Sequence, residues 1–169
     1  MSGALARAAW LAAVLFATPA AAAELGLGVA AGASFSPAAV HGGPIQRQAG
    51  DRLAGGFFVD VPMSGALALS PSATVYALNL GSRPSPATDL HLAVKAVLPV
   101  SLLRLAGGVG TGVTHVERGL FPHLGAQLQL ALHVADGIDV FVAGHYRHVM
   151  RRPANIEAVQ GLVGAVFLL

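Results

Sequence analysis

The sequence predicts an all-β fold, an eight-stranded antiparallel transmembrane β-barrel that follows a cleaved signal peptide. The chain has 169 residues, of which 54% are hydrophobic and only 11% are charged, against about 25% charged in a typical soluble domain. Beyond residue 23, no apolar run approaches the roughly 20 residues that a membrane-spanning helix needs. Apolar residues alternate there with small or polar ones, and a period of two places the two kinds on opposite faces of a strand.

Residues 1–23 are predicted to be a signal peptide. A short polar start with Arg7 precedes a wholly apolar run at 8–17, and small residues follow up to Ala23. This order is typical of a secretory signal cleaved after Ala23. The apolar run is too short for a membrane anchor. Residues 24–169 then form the barrel and carry a surplus of one basic residue, so the pI of 9.7 gives no argument for nucleic-acid binding.

The alternation recurs in eight segments after the signal peptide. In the first segment, Leu25, Leu27 and Val29 alternate with Gly26 and Gly28, which makes one face apolar and the other small. The predicted strands are 24–35, 53–63, 66–80, 89–98, 102–116, 123–135, 138–149 and 156–169.

The predicted connections differ at the two ends of the strands. Three short turns lie at one end, and Asp136-Gly137 favours a tight type I′ hairpin turn there. Longer connections fall at the other end, because an even strand number places both termini beside the short turns. These longer connections are 36–52, 81–88, 117–122 and 150–155. A closed barrel has no edge strand that could accommodate Pro71, so we predict a bulge at Ser70-Pro71-Ser72.

This arrangement is the layout of a bacterial outer-membrane β-barrel, with short periplasmic turns and longer external loops. Closure pairs every backbone group, as a hydrocarbon environment requires. Signal, alternation and turn spacing over the whole mature chain resemble the small eight-stranded outer-membrane barrel families of Gram-negative bacteria. The resemblance implies an outer-membrane location and recognition by the outer-membrane assembly machinery. Such barrels usually end on an aromatic residue, whereas this chain ends on Leu169.

Polar residues on the inner face are candidates for an interior network. An eight-stranded barrel is just wide enough to be filled by side chains, and buried charges have to be paired or hydrated. We therefore expect salt bridges that set the register and fill the lumen, with a proton or ion path as the alternative. The residues that alternation places inward are Asp60, Lys95, Arg104, Gln127, Gln129, His133, Asp139, His145, Arg147 and Gln160.

The sequence predicts neither a metal site nor a cofactor. Seven histidines are present, but they form no HExxH motif and no short cluster of metal-ligand spacing. His145 and His148 are three residues apart, which places them on opposite faces of a strand.

The segment HYRHVMRRPANIE, which begins at His145, resembles the corresponding region of outer-membrane lipid A deacylases. Those eight-stranded barrels carry a histidine, a serine two positions later and a glutamate shortly before the last strand. The resemblance implies a histidine base, oriented by a carboxylate, that activates a serine. His145 or His148 would match the histidine and Glu157 the glutamate. Arg147 and Met150 occupy the two serine positions, so we expect no catalysis.

Arginines outnumber acids in the predicted external loops, where Asp51 and Glu117 are the acids. Guanidinium groups bind phosphates in a bidentate manner, so we expect lipopolysaccharide contacts, above all at Arg151 and Arg152. The alternative is a solvated loop surface. The arginines are Arg47, Arg52, Arg83, Arg118, Arg151 and Arg152.

The leading functional hypothesis is a small integral outer-membrane barrel with a structural or surface-interaction role and no catalysis. Its expected partners are outer-membrane lipids and lipopolysaccharide. The alternative from another class is a lipid A deacylase-like acyl ester hydrolase or its inactive descendant. A soluble periplasmic barrel that carries a ligand is a third hypothesis, but the face opposite the leucines is mostly Gly, Ala and Gln, which is weakly polar for a soluble exterior.

Overall fold

Eight antiparallel strands close into one barrel in sequence order. The computed structural model describes residues 24–35, 52–80, 83–117, 119–152 and 155–169, so the predicted signal peptide, Arg47 and Arg118 lie outside the described residues. The strands are β1 (Gly26–Phe35), β2 (Leu53–Ser64), β3 (Leu67–Leu80), β4 (Arg83–Val100), β5 (Leu103–Val116), β6 (Gly119–Ala135), β7 (Ile138–Val149) and β8 (Ile156–Leu168). The prediction of an eight-stranded antiparallel barrel is confirmed.

Closure is made by the pairing of the first strand with the last. Val29 lies opposite Ala165 in the β1–β8 ladder, and Leu169 donates its backbone N–H to the carbonyl of Leu25 at 2.9 Å. Each strand is therefore paired on both sides, and the sheet has no edge. No helix in the described part of the chain is long and apolar enough to cross a membrane.

The period of two divides the barrel into an inner and an outer face. On β6, Leu124, Leu128 and Leu132 point outward and are exposed, whereas His123 and Gln129 point inward and are buried. The other strands follow the same rule, so large apolar side chains cover the outside. We call the end with the chain termini and the turns after β2, β4 and β6 the turn end, and the opposite end the loop end.

Two strands begin earlier than the sequence pattern predicts. β4 begins at Arg83 and β6 at Gly119, so most of the predicted loops 81–88 and 117–122 is strand. Pro86 pairs with Ala77 and Pro122 with Val113. Prolines are typical of loops, but their fixed φ is compatible with an extended chain near a strand end.

The hairpin turn at Asp136-Gly137 is not of type I′. Gly137 has a φ of 73°, whereas Asp136 has no positive φ, and the β6–β7 register shifts between His133 and Ala135. This combination is typical of a type I turn followed by a left-handed glycine and a bulge.

The predicted bulge at Ser70-Pro71-Ser72 is wrong. The β2–β3 register is unchanged between the pairs Phe58↔Ser72 and Val61↔Leu69, and the shift lies closer to the turn, between Pro62 and Ser64. A single residue that lacks an N–H group thus interrupts a ladder locally without changing its register.

The lumen is packed with side chains along its length. At the loop end, an apolar plug consists of Tyr76, Leu78, Val116, Val149 and Ile156, all at most 7% exposed. Towards the turn end, a second apolar cluster contains Phe58 and Phe141. Their rings meet edge to face with centroids 5.6 Å apart, a favourable geometry for an aromatic pair.

A methyl group at Gly28 would meet the Phe58 ring, whereas one at Gly144 would meet nothing within 4 Å. We therefore expect Gly28→Ala to destabilise the barrel by about 1–3 kcal/mol through overpacking, and Gly144→Ala to change its stability by about 0.5 kcal/mol or less. Urea titration checks both, with the folded fraction read from gel migration of unheated samples. Equal stability of the two variants would contradict this packing.

Candidate functional site

The first polar contact in the lumen joins β2 and β4, two strands that are not neighbours. Lys95 Nζ lies 2.8 Å and 3.1 Å from the two carboxylate oxygens of Asp60. The ammonium group also lies 4.1 Å from the centroid of the Phe58 ring. Lys95 is only 3% exposed. Its buried positive charge is therefore compensated by the carboxylate of Asp60 on a strand that is not its neighbour.

A second cluster lies in the lumen at the turn end, around Asp139 on β7. His133 Nδ1 is 2.9 Å from Asp139 Oδ1, and Arg104 Nε is 3.4 Å from Asp139 Oδ2. Arg104 also reaches Glu24 Oε2 at 3.2 Å. The cluster therefore ties β5, β6 and β7 to the residue that precedes β1.

A third cluster lies below the apolar plug and centres on Asp89. The Tyr76 hydroxyl donates to Asp89 Oδ1 at 2.9 Å, and Arg147 Nε lies 3.5 Å from Asp89 Oδ2. Arg147 is fully buried. Its charge is therefore balanced by Asp89 inside the lumen.

A pair of stacked histidines extends this third cluster. His91 Nδ1 and His123 Nε2 are hydrogen-bonded at 2.9 Å, with ring centroids 5.1 Å apart. His123 Nδ1 is 2.9 Å from the Thr114 hydroxyl. The hydrogen bonds thus run from His91 on β4 to His123 on β6, and from His123 to Thr114 on β5.

Sequence reasoning missed the members of the third cluster other than Arg147. Asp89 and His123 begin predicted strands, where alternation is hardest to apply. A signal was nevertheless present, because His91 and Asp89 lie four and six residues before Lys95 and must share its face.

All side chains predicted to form the interior network lie on the inner face. The structure brings Asp60 to Lys95, and Arg104 and His133 to Asp139, whereas Arg147 meets Asp89, which was not in the predicted set. The remaining predicted residues, Gln127, Gln129, His145 and Gln160, are largely buried in the middle of the lumen.

Two cavities in the described lumen are small. One of about 10 Å³ is lined by Lys95, Gln127, Gln129 and His145, and one of about 60 Å³ lies at the turn end, beside Arg104. Ligand pockets are usually about 300–1,000 Å³. Among the described residues, no group of three or more His, Asp or Glu is placed to hold a metal ion.

The histidines of the deacylase-like segment lie on opposite faces. His145 points into the lumen, while His148 and Glu157 point outward near the loop end, with His148 Nδ1 3.9 Å from Glu157 Oε1. Only His148 can therefore be oriented by Glu157. The serine position that goes with His148 is occupied by Met150, whose thioether is no nucleophile for acyl transfer.

The two arginines predicted to contact lipopolysaccharide lie just after β7 at the loop end. Arg151 Nη2 is 3.9 Å from Glu117 Oε2, and its guanidinium lies 5.6 Å from the centroid of the Phe121 ring. Arg152 is exposed. Arg152 is therefore open to solvent at the rim, whereas Arg151 is half-buried there.

Among the comparisons with known proteins, the one with solved structures supports the fold. No family model matches the chain, and no curated protein sequence matches it. The chain is similar to the crystal structure of Neisserial surface protein A (NspA), with a TM-score of 0.67 and 8% identity over 86% of this chain and 97% of that one. It is also similar to Ail, the attachment invasion locus protein of Yersinia pestis, with a TM-score of 0.56 and 10% identity over 86% and 99% of the two chains.

A weaker likeness exists to the outer membrane enzyme PagL, with a TM-score of 0.49 and 10% identity over 83% of this chain and 97% of that one. A likeness at this level carries no argument about activity. The closed eight-stranded antiparallel sheet and the similarity to NspA and Ail place this chain in the structural class of small barrels known from bacterial outer-membrane proteins.

Removing Asp60 alone leaves Lys95 as an unpaired buried charge. We expect Asp60→Leu to destabilise the barrel by about 3–5 kcal/mol, and Asp60→Leu combined with Lys95→Met to cost less than that single change. Urea titration of the two single variants and the double variant gives the coupling free energy. Additive effects would show that the pair is not coupled.

Proposed function

We propose that the chain is an integral outer-membrane β-barrel with a structural or surface-interaction role and no catalytic activity. The observation that carries the proposal is the outer face, where large apolar side chains are exposed on every strand. Val109, in the middle of β5, is 69% exposed, and Leu128 on β6 is 59% exposed. In water such a continuous apolar surface would drive aggregation, whereas a hydrocarbon environment covers it.

The height of the apolar surface supports a membrane span. On β5, the outward and mainly apolar positions from Leu103 to Val113 span ten residue steps, and His115 follows them. At about 3.3 Å per residue and a tilt of about 40°, this run is about 25 Å high, the height of the apolar band of outer-membrane barrels. Thr88, His148 and Glu157 end the band on β4, β7 and β8 at the same rim.

The absence of catalysis is supported by the candidate site. The outward pair His148–Glu157 has no serine two residues after the histidine, so it lacks the nucleophile that acyl transfer needs. The apolar plug also argues against an open pore. A lumen filled in this way is suited to holding the strands in place, which leaves the external loops and the rim for interactions.

Membrane fractionation combined with heat-modifiable gel migration tests the location. The proposal expects the protein in the outer-membrane fraction, with faster migration of the unheated sample. Recovery from the soluble periplasm with no heat shift would refute the proposal.

A charge placed on the outer face reports the depth of the surrounding hydrocarbon. We expect Val109→Arg to destabilise the folded barrel in lipid vesicles by about 2–4 kcal/mol and His115→Arg, at the rim, by about 1 kcal/mol or less. Trp10, the sole tryptophan, lies in the predicted signal peptide, so gel migration is the suitable readout of folding. Equal, small effects would mean that Val109 does not face lipid.

Lipopolysaccharide is the proposed partner of the loop-end rim. Arg151 and Arg152 follow the outward run of β7, where the phosphate groups of an outer-leaflet lipid would lie. We expect Arg151→Ala with Arg152→Ala to weaken lipopolysaccharide binding by about five- to thirtyfold, since each exposed charge contact contributes about 0.5–1 kcal/mol. Co-purification of lipopolysaccharide with the purified barrel is the measurement.

Glu117→Ala is the matched control, because it removes a rim charge of the opposite sign beside Arg151. It should leave retention unchanged or raise it. Unchanged retention in the double arginine variant would mean that these guanidinium groups do not hold the lipid.

A further inference from the structure

The outer wall is interrupted by a trough formed by two adjoining grooves. One groove, of about 400 Å³, runs across β2 to β5 past Phe57, Leu90 and Val113. The other, of about 630 Å³, runs across β3 to β7 past Val109, Ala126 and Tyr146. Leu92 and Thr111 line both grooves. The two grooves therefore adjoin at Leu92 and Thr111, and we call them together the outer trough.

The trough arises from short side chains on the outward face. In the register, Leu92 pairs with Thr111, and Thr111 pairs with Leu124. In the next outward row towards the turn end, Ala126 stands between Val109 and Tyr146. Thr111 and Ala126 are smaller than the side chains beside them and thus leave a depression in the wall. The Thr111 hydroxyl donates a hydrogen bond to the carbonyl of His123 at 2.9 Å. The floor is therefore apolar in effect.

At its β7 side, the trough reaches polar groups. Tyr146 lines the trough, and Glu157 lies on the neighbouring strand β8, two residues from Val159, the ladder partner of Tyr146. The row of Thr111 and Leu124 continues to His148, which pairs with Glu157 in the β7–β8 ladder. An apolar depression that leads to a polar rim has the chemistry of an amphiphile site, with space for a hydrocarbon chain beside groups that contact a head group.

We propose that the outer trough binds an acyl chain of lipopolysaccharide in the leaflet at the loop end. The inference rests on the proposed membrane location and deepens it by assigning the lipid a second contact below the rim. Arg151 and Arg152 follow the same strand that carries Tyr146 and His148, so a lipid whose phosphate groups contact the arginines would extend its acyl chains along the wall towards the trough. A single flexible hydrocarbon chain can follow open, shallow grooves, whereas the convex wall of a second barrel would contact only their borders.

Filling the trough tests the proposal. Thr111→Leu combined with Ala126→Leu places two larger side chains on its floor, and Ala31→Leu is the control, because Ala31 is an exposed outward alanine on β1, away from the trough. Wild type and both variants are purified from outer membranes in mild detergent. Retained lipopolysaccharide and retained phospholipid are quantified per barrel by mass spectrometry, and molecular mass is measured by light scattering.

We expect the double variant to lose lipopolysaccharide by at least about threefold, with phospholipid unchanged and with Ala31→Leu equal to wild type. Equal lipopolysaccharide in all three proteins, or loss of phospholipid instead, would overturn the proposal. A dimer in wild type that becomes a monomer in the double variant would assign the trough to a second copy and would also overturn it. Failure of the proposed location is seen separately, as wild-type protein outside the membrane fraction.

Discussion

The pairing of β1 with β8 is the constraint on which the rest of the structure depends. Because Val29 and Ala165 lie in one ladder, no strand of the barrel has a free edge, and backbone groups are paired within the sheet. Closure also turns the two faces of a strand into an inside and an outside. Because apolar and polar residues alternate with a period of two, leucine side chains cover the exterior and charged side chains lie in the lumen.

The narrow lumen makes those charges costly unless they are paired. Lys95 meets Asp60 across the lumen, and Arg147 meets Asp89 below the apolar plug. Both pairs join strands that are not neighbours, so they constrain the cross-section in a way that backbone hydrogen bonds do not. The polar interior therefore has a structural explanation, and the groups available for interaction lie on the outer trough and the loop-end rim.

The strand number, the two faces and the inward direction of the ten predicted polar residues follow from the sequence, because the period of two sets the face of each residue within a strand. Asp89 and His123 were missed because each begins a predicted strand. The starts of β4 and β6 do not, since Pro86 and Pro122 are typical of loops and only their pairing across the sheet shows that they continue strands. The partner of Arg147 does not follow either. The inward direction of the Arg147 side chain follows from the alternation within β7. Its contact with Asp89 on β4, in contrast, depends on the register of the strands in between.

Contact of the leucine-rich outer face with lipid can be measured directly. The sequence contains no cysteine, so single cysteines introduced along β5 can each carry one spin label in vesicles. We expect labels at Leu105, Val109 and Val113 to collide with oxygen dissolved in the lipid and to be shielded from a water-soluble nickel reagent. Collision of the Val109 label with the nickel reagent at the frequency of a water-exposed surface label would contradict this contact.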